Sequence, residues 1–128
     1  MTLDNICCDR GTEGPYLLKI DTQGAELDVL KGAETVLKDT EFVILEVSFF
    51  EFFKGGPQIY DCIRFMQQNH FVAYDIFDLQ YRLVDGAMSQ VDIAFVRDKS
   101  KYREFHFYAT KEQREKQNQS LISAINKD

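Results

Sequence analysis

Tyr16-Leu17-Leu18-Lys19-Ile20-Asp21-Thr22-Gln23-Gly24-Ala25-Glu26 is the stretch on which the fold of this chain turns. Its first part is a short, mostly apolar run, preceded by Gly11, Gly14 and Pro15, and such a run suits a strand covered on both faces. Gly24 to Lys38 then places Val29, Leu30, Ala33, Val36 and Leu37 at helical spacing, which predicts one helix. Glu26 and Asp28 fall near its start and Lys38 closes it, as the helix dipole favours. The order strand, turn, helix is the opening of an α/β unit.

Further along, Phe42 to Phe49 reads as a second buried strand, and Gly55-Gly56-Pro57 breaks the chain before another helix. Ile59, Cys62, Ile63 and Met66 form the apolar stripe of that helix. Phe71 to Leu79 and Val91 to Val96 are two strands with no helix-length segment between them, and Asp85-Gly86 supplies the turn. Three parallel strands with right-handed crossovers, and a last strand inserted antiparallel, are therefore expected in an open α/β sheet. Lys111 to Gln119 is wholly polar, and only Leu121, Ile122 and Ile125 follow as a thin stripe, so a C-terminal helix is expected to be lightly docked or frayed.

Composition narrows the function. The 128 residues suffice for one domain, and 45% hydrophobic with 28% charged residues describes an ordinary globular chain. A net charge of -6, from 21 acidic and 15 basic residues, argues against sequence-independent nucleic-acid binding. No apolar stretch reaches the ~20 residues of a membrane-spanning helix, and Met1-Thr2-Leu3-Asp4 does not open a signal peptide. Cys7, Cys8 and Cys62 are then expected to be reduced thiols in a cytoplasmic protein. Together with His70 they match no structural zinc spacing, so no metal is expected.

In open α/β sheets, ligands sit beyond the carboxyl ends of parallel strands. That rule picks out Asp21 to Glu26 and Glu46-Val47-Ser48. Three carboxylates there could act as a base, an orienting group or part of a cation site. The plainer alternative is that Gly24 relaxes the turn, Asp21 caps the helix and Glu26 favours its dipole. Glu46 is harder to explain away, because it interrupts an apolar strand and needs a partner; Lys19 is one possibility. Phe49 to Phe53 reads as local core or as a wall for an apolar acceptor. His106, between Phe105 and Phe107, reads as a surface residue.

Leu18 to Ala33 resembles the central motif of FkbM-type methyltransferases, in which a Lys-Ile-Asp strand end runs into a Gly-x-Glu turn and a Leu-Lys-Gly-Ala helix. Thr2-Leu3-Asp4, Val43 to Ser48 and His70-Phe71 extend the resemblance over about residues 2 to 97. It implies the C-terminal half of a Rossmann-like, class I methyltransferase sheet, with these segments as strands four to seven. Residues 1 to 98 would be a partial methyltransferase domain and residues 99 to 128 a helical tail. The first three strands, the glycine-rich loop and the ribose-binding acid would lie outside this sequence, so binding of the cofactor by this chain alone is in question. The implied activity is S-adenosylmethionine-dependent O-methylation of a hydroxyl on a sugar or polyketide-like small molecule. By the same resemblance Asp21 and Glu46 would be catalytic, Gln23 and Gly24 cofactor-binding, and Glu26 and Ser48 substrate-binding. The strand Tyr16 to Asp21 would become a sheet edge, and an apolar edge favours a homodimer or domain-swapped assembly. The competing functions are a non-catalytic α/β association module and an acidic phosphotransfer or cation pocket.

Overall fold

Alternation of side chains along strand β2 (Thr40–Ser48) organises the core, because Val43, Leu45 and Val47 all point to one face and are buried there. The computed structural model describes residues 1–127. Strand β4 (Met88–Arg97) lies antiparallel to β2 and sets Phe95, Ile93 and Val91 opposite those three residues. Strand β1 (Tyr16–Ile20) pairs parallel with the other edge of β2, and β3 (Phe71–Tyr81) pairs antiparallel with β4. The strand order is β1-β2-β4-β3. Strands β1, β2 and β3 therefore run one way and β4 is inserted against them, as the helix-free Asp85-Gly86 connection predicts.

Helices α2 (Glu26–Lys31), α3 (Glu34–Lys38) and α4 (Ile59–Gln68) cover the apolar face. They contribute Leu30, Val36, Leu37, Cys62 and Met66 to the core, with Phe71 beside them. Burial of each of the larger side chains contributes about 1.5–3 kcal/mol. The opposite face is mixed in character. Lys19, Glu46, Gln90 and Asp92 lie on it, and Tyr102 from the 3₁₀ turn Lys101–Arg103 rests against Phe42 and Tyr74.

Two elements depart from the sequence reading. The segment Gly24 to Lys38 forms two short helices instead of one, broken at Gly32-Ala33. An additional helix, α1 (Leu3–Arg10), explains the break. Its Asp4 backbone N–H donates to the Gly32 carbonyl, and its Asp4 carboxylate accepts from the backbone N–H groups of Thr35 and Val36. The break thus exposes N–H groups that Asp4 caps, and Gly32 has no side chain to obstruct Thr2 of α1, which would stand 3.1 Å from a Cβ. Helix α1 carries its own signals, Thr2 as an N-cap and Gly11 in the left-handed conformation at its end, but buries no residue that periodicity would reveal.

The C-terminal helix α5 (Lys111–Ile125) forms over its full length, starting at a Thr110 cap reciprocated by Gln113, and buries none of its residues. Asp128, the last residue of the expected tail, lies outside the described residues. No described helix is long and apolar enough to cross a membrane.

Burial acts to raise the Asp4 carboxyl, but the hydrogen bonds from Thr35 and Val36, with Lys38 nearby, hold it below the ordinary range. Its ionised form therefore stabilises the fold above the unfolded carboxyl range, and the gain is lost as pH falls through the folded one. Asp4→Ala should cost about 1 kcal/mol at neutral pH. Thermal unfolding across pH should show that difference closing in acid.

Candidate functional site

The turn leaving β1 is built from two consecutive left-handed residues, Gln23 (φ 51°) and Gly24 (φ 104°). Glycine takes this conformation freely, whereas a glutamine held in it is uncommon and needs support. Glu26 supplies that support, since its buried carboxylate accepts from the Gly24 N–H at 3.0 Å and from the Thr22 hydroxyl at 3.4 Å. The role of Glu26 visible in the fold is closure of this turn. Gly24 also lets Phe53 approach, for a Cβ there would meet the Phe53 Cβ at 3.1 Å. The aromatic loop after β2 is thereby held against the turn after β1. The aromatic run divides: Phe49 packs against the core, while Phe52 and Phe53 remain 44% exposed.

Beside the turn lies a network of charged groups on the mixed face of the sheet. Asp92 on β4 is only 5% exposed and is paired with Lys19 at 3.0 Å. The sequence offered Lys19 as a partner for Glu46, and the structure corrects this. Glu46 stands opposite Asp92 in the register, and the lysine goes to the carboxylate that burial leaves with less solvent. The Lys19 ammonium is held above its usual range by the Asp92 hydrogen bond, against desolvation, with Asp21 and Glu46 adding to the effect. Glu46 accepts instead from the Gln90 side-chain amide at 3.0 Å, and that amide also lies 3.3 Å from the Ser48 hydroxyl. Burial pushes the Glu46 carboxyl up, Asp21, Asp92 and Asp78 push it further, and only Lys19 opposes them.

Glu46 and Asp21 thus share one electrostatic environment, with Ser48 joined to it through Gln90. Asp21 and Gln23 are exposed at the strand end, and Gln23 enters a cleft of about 290 Å³ with Phe52, Phe53, Arg82, Ser89 and Gln90. Glu26 takes part from beneath, through the turn. A larger hollow of about 790 Å³ lies at the amino ends of β1 and β2, around Tyr16, Thr40 and Arg97. It lies at the wrong end of the parallel strands for a ligand of such a sheet, so the smaller cleft is the better candidate. Arg82 is fixed by a bidentate pair with Asp85 and stacks on Phe50 at 3.8 Å. Among the described residues, no group of three His, Cys, Asp or Glu side chains is arranged to hold a metal. Burial first, then Glu26 and Asp61, push the Cys62 thiol up to about 12, so it stays a neutral core residue.

Asp92, Gln90, Ser89 and Arg82 escaped the sequence reading. Asp92 carried a usable signal, because it interrupts the apolar run Val91 to Val96 as Glu46 interrupts β2. Gln90 carried none; its position depends on the register between β2 and β4.

The family model described as the methyltransferase FkbM domain matches residues 1–76, which run from α1 into β3. The chain belongs to the FkbM methyltransferase family. Over 53 residues it is 40% identical to the 2-O-methyltransferase NoeI of Sinorhizobium fredii (strain NBRC 101917 / NGR234). That match takes in 41% of this chain and 22% of the relative's length. No solved structure matches the chain. In this family member, Asp21, Gln23, Gly24, Glu26, Glu46 and Ser48 fall within the matched residues, and Gln90 and Asp92 fall beyond them.

A carboxyl raised in the folded state binds its proton more tightly there than in the unfolded chain, so it lowers stability as pH rises through the folded value. Glu46→Gln should therefore raise the thermal midpoint at neutral and alkaline pH. The gain should disappear as pH falls below the ordinary carboxyl range, and thermal unfolding of both proteins across pH reads this directly.

Proposed function

We propose that this chain acts in S-adenosylmethionine-dependent O-methylation of a hydroxyl on a sugar or polyketide-like small molecule, as part of a Rossmann-like class I sheet. The observation that carries the reading is the shared environment of Asp21 and Glu46 beside the Gln23 cleft, at the carboxyl ends of β1 and β2. The family membership supports methyl transfer in general, and the 2-O-methyltransferase relative supports a hydroxyl acceptor.

S-adenosylmethionine carries a sulfonium cation, and the residues fit that end of it. Asp21, Glu46, Asp78 and Asp92 outnumber Lys19 beside the cleft, and the Arg82 that lines it is paired with Asp85, so the balance of charge favours a cation. No Gly-x-Gly turn follows a strand in this sequence to cradle the adenosine end, so Asp21, Gln23 and Gly24 are the residues that would hold the cofactor, at its sulfonium end. When bound, the cofactor supplies an electrophilic methyl group. Asp21 orients the acceptor hydroxyl and receives its proton, and Glu46, whose carboxylate burial makes the stronger base, is the second candidate for that proton. Ser48 and Glu26 lie on the acceptor side, Ser48 through the Gln90 amide and Glu26 through the turn. Alignment of the hydroxyl supplies most of the rest.

Calorimetric titration with S-adenosylhomocysteine, followed by methyl-transfer assays on sugars, tests this. Saturable binding is expected, and Asp21→Asn should lower transfer by at least ~10²-fold in a chain that still folds. No binding at millimolar ligand would overturn the catalytic reading for the chain by itself.

A second reading, association without catalysis, is favoured by one observation. Strand β1 is a sheet edge, and Leu17 on it is 63% exposed. Homodimers joined through Tyr16 to Asp21 are expected from this edge, and Leu17→Lys should shift light scattering from dimer to monomer. A wild-type chain that is already monomeric at micromolar concentration would sink this reading.

A further inference from the structure

Gln90 sits where the charged network meets the cleft. A primary amide has two N–H donors and one carbonyl acceptor. Its Nε2 lies within hydrogen-bonding distance of Glu46 Oε1 (3.0 Å) and Ser48 Oγ (3.3 Å), so both donors are directed at β2. Among the described residues nothing donates to its Oε1. The same side chain lines the cleft, facing a space that also meets Gln23 and the half-exposed rings of Phe52 and Phe53. Pockets of this kind bind by apolar contact and use a few fixed polar groups for orientation. An aromatic wall takes the C–H face of a ring, and a free amide oxygen takes a hydroxyl donor. A saccharide ring offers both at once, and an aliphatic alcohol offers only the second. The cleft's volume of about 290 Å³ suits one ring and not an extended chain.

We propose that Gln90 is a positioning residue. One end of its amide holds Glu46 and Ser48, and the other accepts a hydrogen bond from a hydroxyl of a saccharide ring seated against Phe52 and Phe53. The inference rests on the reading of Glu46 as a proton acceptor. It narrows the proposed acceptor to a single saccharide ring and adds a residue that ties the acceptor's position to the Glu46 carboxylate. An amide N–H donated to a carboxylate favours its ionised form. The charged groups around Glu46 are Lys19 and Asp21 from β1 and its end, Asp78 on β3 and Asp92 on β4, of which only Lys19 favours the ionised form; the Gln90 amide would add to it.

The test is an NMR titration of the full chain, following side-chain amides and carboxylate carbons, with methyl β-D-glucopyranoside as probe and n-butanol as control. In the wild-type protein the Gln90 side-chain amide resonances should follow the Glu46 titration and should also move with the glucoside but not with butanol. Gln90→Met, close in shape and without hydrogen-bonding groups, should raise the Glu46 midpoint and weaken the glucoside about tenfold, on the scale of one lost hydrogen bond. An unchanged Glu46 midpoint and unchanged glucoside affinity in that variant would overturn the proposal. If Gln90→Met does not fold, the wild-type titration decides alone, and a Gln90 amide indifferent to both Glu46 and glucoside refutes it. Neither readout uses a methyl donor. Loss of this coupling in a chain that still transfers methyl groups removes only the role of Gln90, whereas coupling in a chain that never binds S-adenosylhomocysteine keeps the saccharide site and removes the methyl-transfer reading.

Discussion

A carboxylate on a strand buried within a sheet needs a cation within reach, and Lys19 on the edge strand meets that need for Asp92. The lysine extends across β2 to do so, linking three strands by one contact on the face that the helices do not cover. An uncompensated charge at that depth costs several kcal/mol, so the pairing constrains the positions of β1 and β4 with respect to β2. Everything else on that face adjusts to it. With the Lys19 ammonium bonded to Asp92, Glu46 accepts from an amide instead, and burial first, then Asp21 and Asp92, raise its carboxyl against the more distant pull of Lys19. The surroundings of Glu46 are thus set in part by an ion pair between the two strands that flank its own.

The turn after β1 shows a similar dependence. Gln23 and Gly24 hold left-handed backbone conformations, and the buried Glu26 carboxylate holds them there through the Gly24 N–H. Backbone strain of this kind persists only where surrounding contacts over-determine it. Phe53 packs against Gly24 from the other side, so the aromatic loop and the turn are fixed together and leave Gln23 facing the cleft. Glu26 therefore acts from beneath the surface, closing the turn that presents Gln23.

Much of the architecture was legible before any coordinates. Apolar runs at Tyr16 to Asp21 and Phe42 to Phe49 were long enough to be read as strands, and the missing helix around Asp85-Gly86 forced β4 antiparallel between its neighbours. The helix break at Gly32 was not legible, because Val29 through Leu37 keep helical spacing across it. The interruption comes from Asp4, which lies about thirty residues earlier and takes the freed N–H groups. Helix α1 was missed for a related reason, as its stability comes from caps and this contact, not from an apolar stripe.

By itself, the sequence determined the succession of strands and helices along the chain, the place where the chain turns from β1 into a helix, and the family, because each depends on residues close together in the chain. Only the tertiary structure decided which acid Lys19 pairs with, that Glu46 is left to Gln90, and that Phe53 meets Gly24. Those contacts join residues 73, 44 and 29 positions apart (92 − 19, 90 − 46 and 53 − 24). Local propensity is blind to such pairings, which depend on register, on the depth of each charge, and on which partner can reach it first.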